Sequence, residues 1–136
     1  MYLLDTNVVS ELRRPKPHAR VIAWLGAIPD EQLFIAAVTL AELQRGIEIT
    51  REQDAEKAAA IEAWVDQLGL THSILPMDGT IFRAWARLMH RRSDALLEGA
   101  MIAATASVHN LTVVTRNLRD FAPFAIRTLD PFAARS

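Results

Sequence analysis

Met1-Tyr2-Leu3-Leu4-Asp5-Thr6-Asn7-Val8-Val9-Ser10-Glu11-Leu12 opens the chain and sets its architecture. The apolar run Tyr2–Leu4 reads as a short buried strand, and Asp5 closes it where a helix takes over, with Asp5 or Thr6 as N-cap. The strand thus delivers a carboxylate to its own C-terminal tip. In open α/β sheets ligands sit at the carboxyl ends of the strands, so Asp5 is a candidate for chemistry and the rest of the chain can be searched for its companions.

The first helix should stop before Arg14-Pro15-Lys16-Pro17, and a second follows from about His18 to Ala27, with Val21, Ile22, Trp24 and Leu25 inward. Leu33–Ala36 reads as a second strand. Thr39 and Glu42 then form the Ser/Thr-x-x-Glu pattern of a capping box. Glu52 to Leu68 reads as a long amphipathic helix with Ile61, Val65 and Leu68 on one face, and Gly69 as its stop. Ile74-Leu75 marks a third strand. Asp78 caps a helix whose apolar stripe is Ile81, Phe82, Trp85, Leu88 and Met89. The last helix, about Leu96 to Val108, holds the small apolar stretch Ala100–Ala106 and should lie centrally. A turn at His109-Asn110 leads into a fourth strand, Thr112–Val114, and Ile126–Thr128 offers a fifth. Strands alternating with helices predict an α/β fold with a mainly parallel sheet.

Composition sets bounds. At 136 residues, 51% of them apolar, the chain fits one domain with a substantial core. It has no cysteine, which excludes disulfides and thiolate metal sites and fits a cytoplasmic protein. No leader-like or membrane-length apolar stretch is expected. A net charge of −1 argues against bulk coating of nucleic acid, but leaves room for a nuclease with an acidic site and local basic groups. The histidines His18, His72, His90 and His109 fall in no metal-ligand spacing.

If the sheet is parallel, its strand ends collect polar groups on one edge: Asp5, Thr6 and Asn7 after the first strand, Glu42 on the helix after the second, and Thr115, Arg116, Asn117 and Asp120 after the fourth. Each has an ordinary structural role to hand. Asp5 alone reads as an N-cap, Glu42 as a capping-box acid, Asn117 and Asp120 as turn residues. Taken together they converge, and converging carboxylates repel unless a cation lies between them. Oxygen donors without His or Cys select Mg²⁺ or Mn²⁺, ions that activate water and neutralise charge in phosphodiester hydrolysis. Arg116 is a candidate phosphate ligand or carboxylate partner. Arg83, Arg87 and Arg91 recur every four residues and read as a solvated face.

Leu4–Leu12, Thr39–Leu43, Ala100–Ala106 and Val114–Phe121 together resemble the PIN domain, most nearly the VapC-type toxins of toxin–antitoxin pairs, in order and over essentially the whole chain. The resemblance implies a three-layer α/β/α fold and a Mg²⁺- or Mn²⁺-dependent endoribonuclease. It also implies a small inhibitory antitoxin and a homodimer. Asp5 matches the first metal-binding acid and Glu42 the second. Asn117 and Asp120 lie in the outer polar stretch, and Thr6, Asn7, Thr115 and Arg116 are supporting groups.

One position departs from the pattern. The family has aspartate just before the Ala-Met-Ile-Ala-Ala-Thr-Ala stretch, and this chain has Gly99. An acid there would be favoured by the helix dipole and by a metal, whereas glycine offers no ligand. Glu98 is adjacent, but one helical position is about 100° of rotation, so it is expected to point elsewhere. Three readings are open: a substitution that lets a toxic enzyme be produced, a natural loss of activity, or a site rebuilt around Glu98. The first is preferred because the remaining pattern is intact. Two other functions compete with the nuclease. A phosphotransfer module with aspartate after strand one needs a late lysine, and none follows Lys57. A non-catalytic PIN-like protein that binds RNA or an antitoxin is kept alive by Gly99.

Overall fold

The computed structural model describes residues 1–133. Its strands β1 (Tyr2–Leu4), β2 (Leu33–Ala36), β3 (Ser73–Leu75), β4 (Thr112–Val114) and β5 (Thr128–Leu129) form a five-stranded sheet in the order β3-β2-β1-β4-β5. All neighbouring pairs are parallel. Leu4 stands opposite Ile35 on one side and Val114 on the other, so the ends of β1, β2 and β4 are level.

Period-2 alternation assigns the two faces of the sheet. Leu3, Phe34 and Val113 face one layer, where α5 (Gly79–Met89) and α6 (Leu97–His109) contribute Trp85, Leu88, Ala100, Ala103 and Ala106. Leu4, Ile35 and Val114 face the other. That layer holds Val8 and Val9 of α1 (Thr6–Glu11), Val21 and Trp24 of α2 (Ala19–Ala27), and Leu68 of α4 (Ala55–Thr71). The fold is therefore a three-layer α/β/α sandwich. The strands are apolar throughout because both of their faces are covered.

Ala100, Ala103, Ala104 and Ala106 are buried, and their small side chains let α6 pass close to the sheet and to Ile81 and Ala84 of α5. Asn110, at φ 55°, ends α6 in the left-handed conformation, and the Leu111 N–H reaches back to the Ala106 carbonyl at 2.8 Å.

Several local expectations are corrected. Thr39 caps nothing: α3 (Ala37–Arg51) begins directly after β2 with Ala36 at its N-cap position, and Thr39 lies inside it, fully buried. Glu52 is not in the long helix. The chain turns at Glu52 and Gln53, and Asp54 caps α4 by accepting from the Lys57 N–H at 3.0 Å. Gly69 does not stop α4, which runs on to Thr71. Ile22 and Phe82 are exposed, because each sits about 100° round its helix from its buried neighbour, Val21 or Ile81. The fifth strand starts two residues later than expected. Ala125, at φ 50°, closes the short 3-10 turn Ala122–Phe124, and only beyond it does the chain extend alongside β4.

Gly69 is solvent-facing, has no positive φ, and a Cβ there would meet nothing within 4 Å. Gly69→Ala should stabilise the protein by about 0.5–1 kcal/mol. Thermal denaturation should show this as a rise of about 2–4 °C, and a fall would mean that the glycine is needed to end the helix.

Candidate active site

The chain moves to one side of β1 to make β2 and β3, then crosses to the other side for β4 and β5. The crevice beyond the carboxyl ends of β1 and β4 is therefore the switch point of the sheet, where such folds bind ligands. A cavity of about 370 Å³ opens there, lined by Asp5, Glu42, Ala95, Leu96, Glu98, Gly99, Ile102, Asn117, Asp120 and Phe121.

Asp5 follows the last residue of β1. Its N–H donates to the Val114 carbonyl at 2.9 Å, which pins the β1 tip to the β4 tip. The residue is only 8% exposed, and both carboxylate oxygens accept hydrogen bonds. Oδ1 accepts from the Thr6 N–H at 2.8 Å, while Oδ2 accepts from the Thr115 hydroxyl at 2.8 Å and the Asn7 amide at 3.2 Å. Asn7 in turn accepts from the Arg116 N–H at 3.2 Å, and the Thr115 hydroxyl accepts from the Asn117 N–H at 2.9 Å. Thr6, Asn7 and Thr115 thus orient one acid and tie it to the loop after β4.

Glu42 lies on α3, one turn beyond Thr39 on the same helix face. The Thr6 hydroxyl donates to Glu42 Oε1 at 3.0 Å and lies 3.2 Å from the Thr39 hydroxyl. Thr6 has one hydroxyl proton, and giving it to the carboxylate leaves Thr39 as donor in that second contact. Thr39, read from sequence as a helix cap, is a buried support of the site instead. The signal that could have revealed it was its i,i+3 spacing to Glu42.

Both acids carry raised pKa values. Burial pushes Asp5 up, against the hydrogen bonds from Thr115, Thr6 and Asn7, and the Asp120 charge adds to the rise. Burial also pushes Glu42 up, with the Thr6 hydroxyl opposing it and the charges of Glu98 and Asp5 reinforcing it. Among the described residues neither acid is ion-paired. The cavity is thus a place where negative charge is costly and a cation would be favoured.

Asn117 and Asp120 stand exposed on the far wall, on and just before the short helix α7 (Leu118–Phe121). Gly99 also lines the cavity, near the start of α6. No positive φ requires glycine there, and a Cβ would meet nothing within 4 Å. Two placements differ from expectation. Arg116 does not join the acids: its guanidinium lies 4.6 Å over the Phe132 ring, a cation–π contact that draws it off the cavity wall. Glu98, expected to point elsewhere, does line the cavity, and its carboxylate is ion-paired with Arg45 of α3. Arg83 and Arg87 lie on the exposed face of α5, and Arg91 lies beyond its end. A larger cavity, of about 540 Å³, lies between α2 and the segment Leu129–Ala133. It is lined mostly by apolar side chains and shares no residue with the acidic one.

The PIN domain family model matches residues 2–125. The chain is 34% identical to toxin FitB of Neisseria gonorrhoeae, over 97% of this chain and 99% of that protein. It is 32% identical to VapC ribonuclease Y4jK of Sinorhizobium fredii, over 97% and 98% respectively. The solved structure of FitAcB from Neisseria gonorrhoeae superposes with a TM-score of 0.85 at 32% identity, covering 98% of this chain and 100% of that one. With parallel strand tips, a carboxylate-lined switch-point cavity and relatives of matching length in agreement, the chain belongs to the PIN-domain family, among its VapC-type toxins.

Proposed function

We propose that this chain is a Mg²⁺- or Mn²⁺-dependent endoribonuclease, the toxin of a toxin–antitoxin pair, with ion binding weakened by glycine at position 99. The observation that carries this is the pairing of Asp5 and Glu42, two acids raised by burial and bridged through Thr6 on the lining of one cavity. Relatives named as ribonucleases supply the substrate class. The relative named toxin FitB and a solved toxin–antitoxin complex from Klebsiella pneumoniae support an antitoxin partner. A homodimer is what the resemblance to the VapC-type toxins implies. No helix among the described residues is long and apolar enough to cross a membrane, and a cytoplasmic site of action follows from the RNA substrate.

The donor set fits a hydrated ion better than a caged one. Among the described residues no three acids or histidines gather as a ready-made ligand cluster. Mg²⁺ is commonly held by one or two carboxylates and keeps several waters, a demand that Asp5 and Glu42 meet. When bound, such an ion supplies an activated water and neutralises charge on the phosphate being cleaved. The protein side of the reaction belongs to its own groups. Asp5 is held by Thr6, Asn7 and Thr115 so that its carboxylate cannot swing away. Glu42 is steadied by Thr6 with Thr39 behind it. Asp120 and Asn117, on the exposed wall, orient water and substrate at the open side. Leu96, Ile102 and Phe121 form an apolar wall that strengthens each of these electrostatic contacts.

A second reading, a PIN-like protein that binds RNA or an antitoxin without cleaving, draws on the missing three-acid cluster. Gly99→Asp separates the two. The open space at position 99 and its place in the first turn of α6 favour an added carboxylate. The variant should bind Mn²⁺ about ten- to a hundredfold more tightly and gain RNA cleavage in proportion. Asp5→Asn in that background should lose cleavage by on the order of a hundredfold. Equal cleavage by the parent and Gly99→Asp would remove the role given to position 99, and no cleavage by either would favour the binding protein.

The charge repulsion makes a separate prediction for the metal-free protein. A carboxyl whose folded pKa is raised contributes stability that is fully present below its unfolded pKa and is lost as pH rises through the folded value. For Glu42 this loss begins above the ordinary glutamate range, about 4.3, because burial raises its folded value. Glu42→Gln keeps an oxygen for the Thr6 hydroxyl and removes the charge. Its melting temperature should match or fall below the parent's at acid pH and exceed it at neutral pH, with added Mg²⁺ stabilising only the parent. A gap that does not change with pH would show that the charge at Glu42 costs the fold nothing.

A further inference from the structure

Glu98, the second residue of α6, lines the same cavity as Asp5, Glu42 and Asp120, beside the bare backbone of Gly99. Its side chain is one methylene longer than an aspartate's. That added reach brings it to the cavity from a position that helix rotation directs elsewhere. Glu98 and Glu42 line one cavity, and the charge of Glu98 is among those that raise the Glu42 carboxyl. The Trp85 indole N–H donates to the Leu97 carbonyl at 3.2 Å and anchors the turn of α6 that carries Glu98.

Arg45 holds Glu98 from the other side. It lies on α3 three residues after Glu42, on the same side of the helix. Its guanidinium pairs with Glu98 Oε1, joining α3 to α6 at the edge of the cavity. Arg45 is 65% exposed, and the Glu98 side chain 36%. The pair is therefore wet and readily opened.

We propose that Glu98 supplies the carboxylate ligand that position 99 lacks, and that Arg45, by pairing with Glu98, is a built-in competitor that the divalent cation must displace. This rests on the metal-site reading of Asp5 and Glu42 given above. It makes the site of this chain a rearranged one rather than an empty one: two acids in place, and a third that moves to the ion when it lets go of Arg45. The competition is modest, because exposed ion pairs are weak.

Mn²⁺ binding to the full chain, followed by loss of the free-ion electron paramagnetic resonance signal with RNA absent, tests this. The proteins compared are the parent, Glu98→Gln, Arg45→Gln, the double variant and Glu42→Gln, each checked for folding by its melting curve. Glu98→Gln should weaken binding about tenfold. Arg45→Gln should tighten it about two- to fivefold. In the double variant the gain from Arg45→Gln should vanish, since the competitor has lost its target. Unchanged affinity in Glu98→Gln alongside loss in Glu42→Gln would overturn the role of Glu98 and leave the Asp5–Glu42 site standing. A gain from Arg45→Gln that persists without Glu98 would overturn the competitor role, leaving only general repulsion between Arg45 and the ion. A parent that binds no Mn²⁺ would overturn both this proposal and the reading beneath it.

Discussion

The bond from the Asp5 N–H to the Val114 carbonyl, 2.9 Å long, holds the tip of β1 level with the tip of β4. With Leu4 also in register with Ile35, it brings three chain segments to one rim of the sheet. The acidic cavity beyond these strand tips follows from that alignment. A register slip of one residue would turn Leu3 and Leu4 to the wrong layers and carry Asp5 away from Thr115. The core that buries both faces of β1 therefore also positions the acid, since the same alternation decides both.

The rim is expensive to build. Asp5 and Glu42 are drawn out of water and set near other acids, and both resist ionisation as a result. Hydroxyls and amides offset part of this: Thr115, Asn7 and the Thr6 N–H for Asp5, and the Thr6 side chain for Glu42. Thr6 serves both carboxylates, one through its backbone and one through its side chain, so the two acids are positioned by a single residue. Local rules broken at one place in an otherwise consistent fold are a mark of function, and here they coincide with the switch point of the sheet.

Gly99 and Glu98 sit side by side on the lining of this cavity. A side chain at position 99 would have open space, since a Cβ there meets nothing within 4 Å. Glu98 lies at the cavity edge, paired with Arg45. That arginine, on a different helix, is one no short motif would single out.

Much of this was legible in the residues alone. Short apolar runs ending in Asp5 and Thr115, the Ala-rich α6 and the Asp78 cap specify their own local structure, because strand burial, helix periodicity and capping act over a few residues. From them the parallel sheet, its acidic rim and the family could be read. Other features depended on contacts between segments far apart in the chain. Thr39 left its expected cap for a place behind Thr6, 33 residues away, because α3 starts at Ala37, directly after β2, which puts Thr39 inside the helix. Arg116 turned to the Phe132 ring, and Glu98 turned to Arg45, 53 residues away. Long charged side chains have many rotamers of similar energy, so tertiary neighbours decide among them. The positions of the short Asp5 and Thr115 side chains, by contrast, were already set once the backbone was placed.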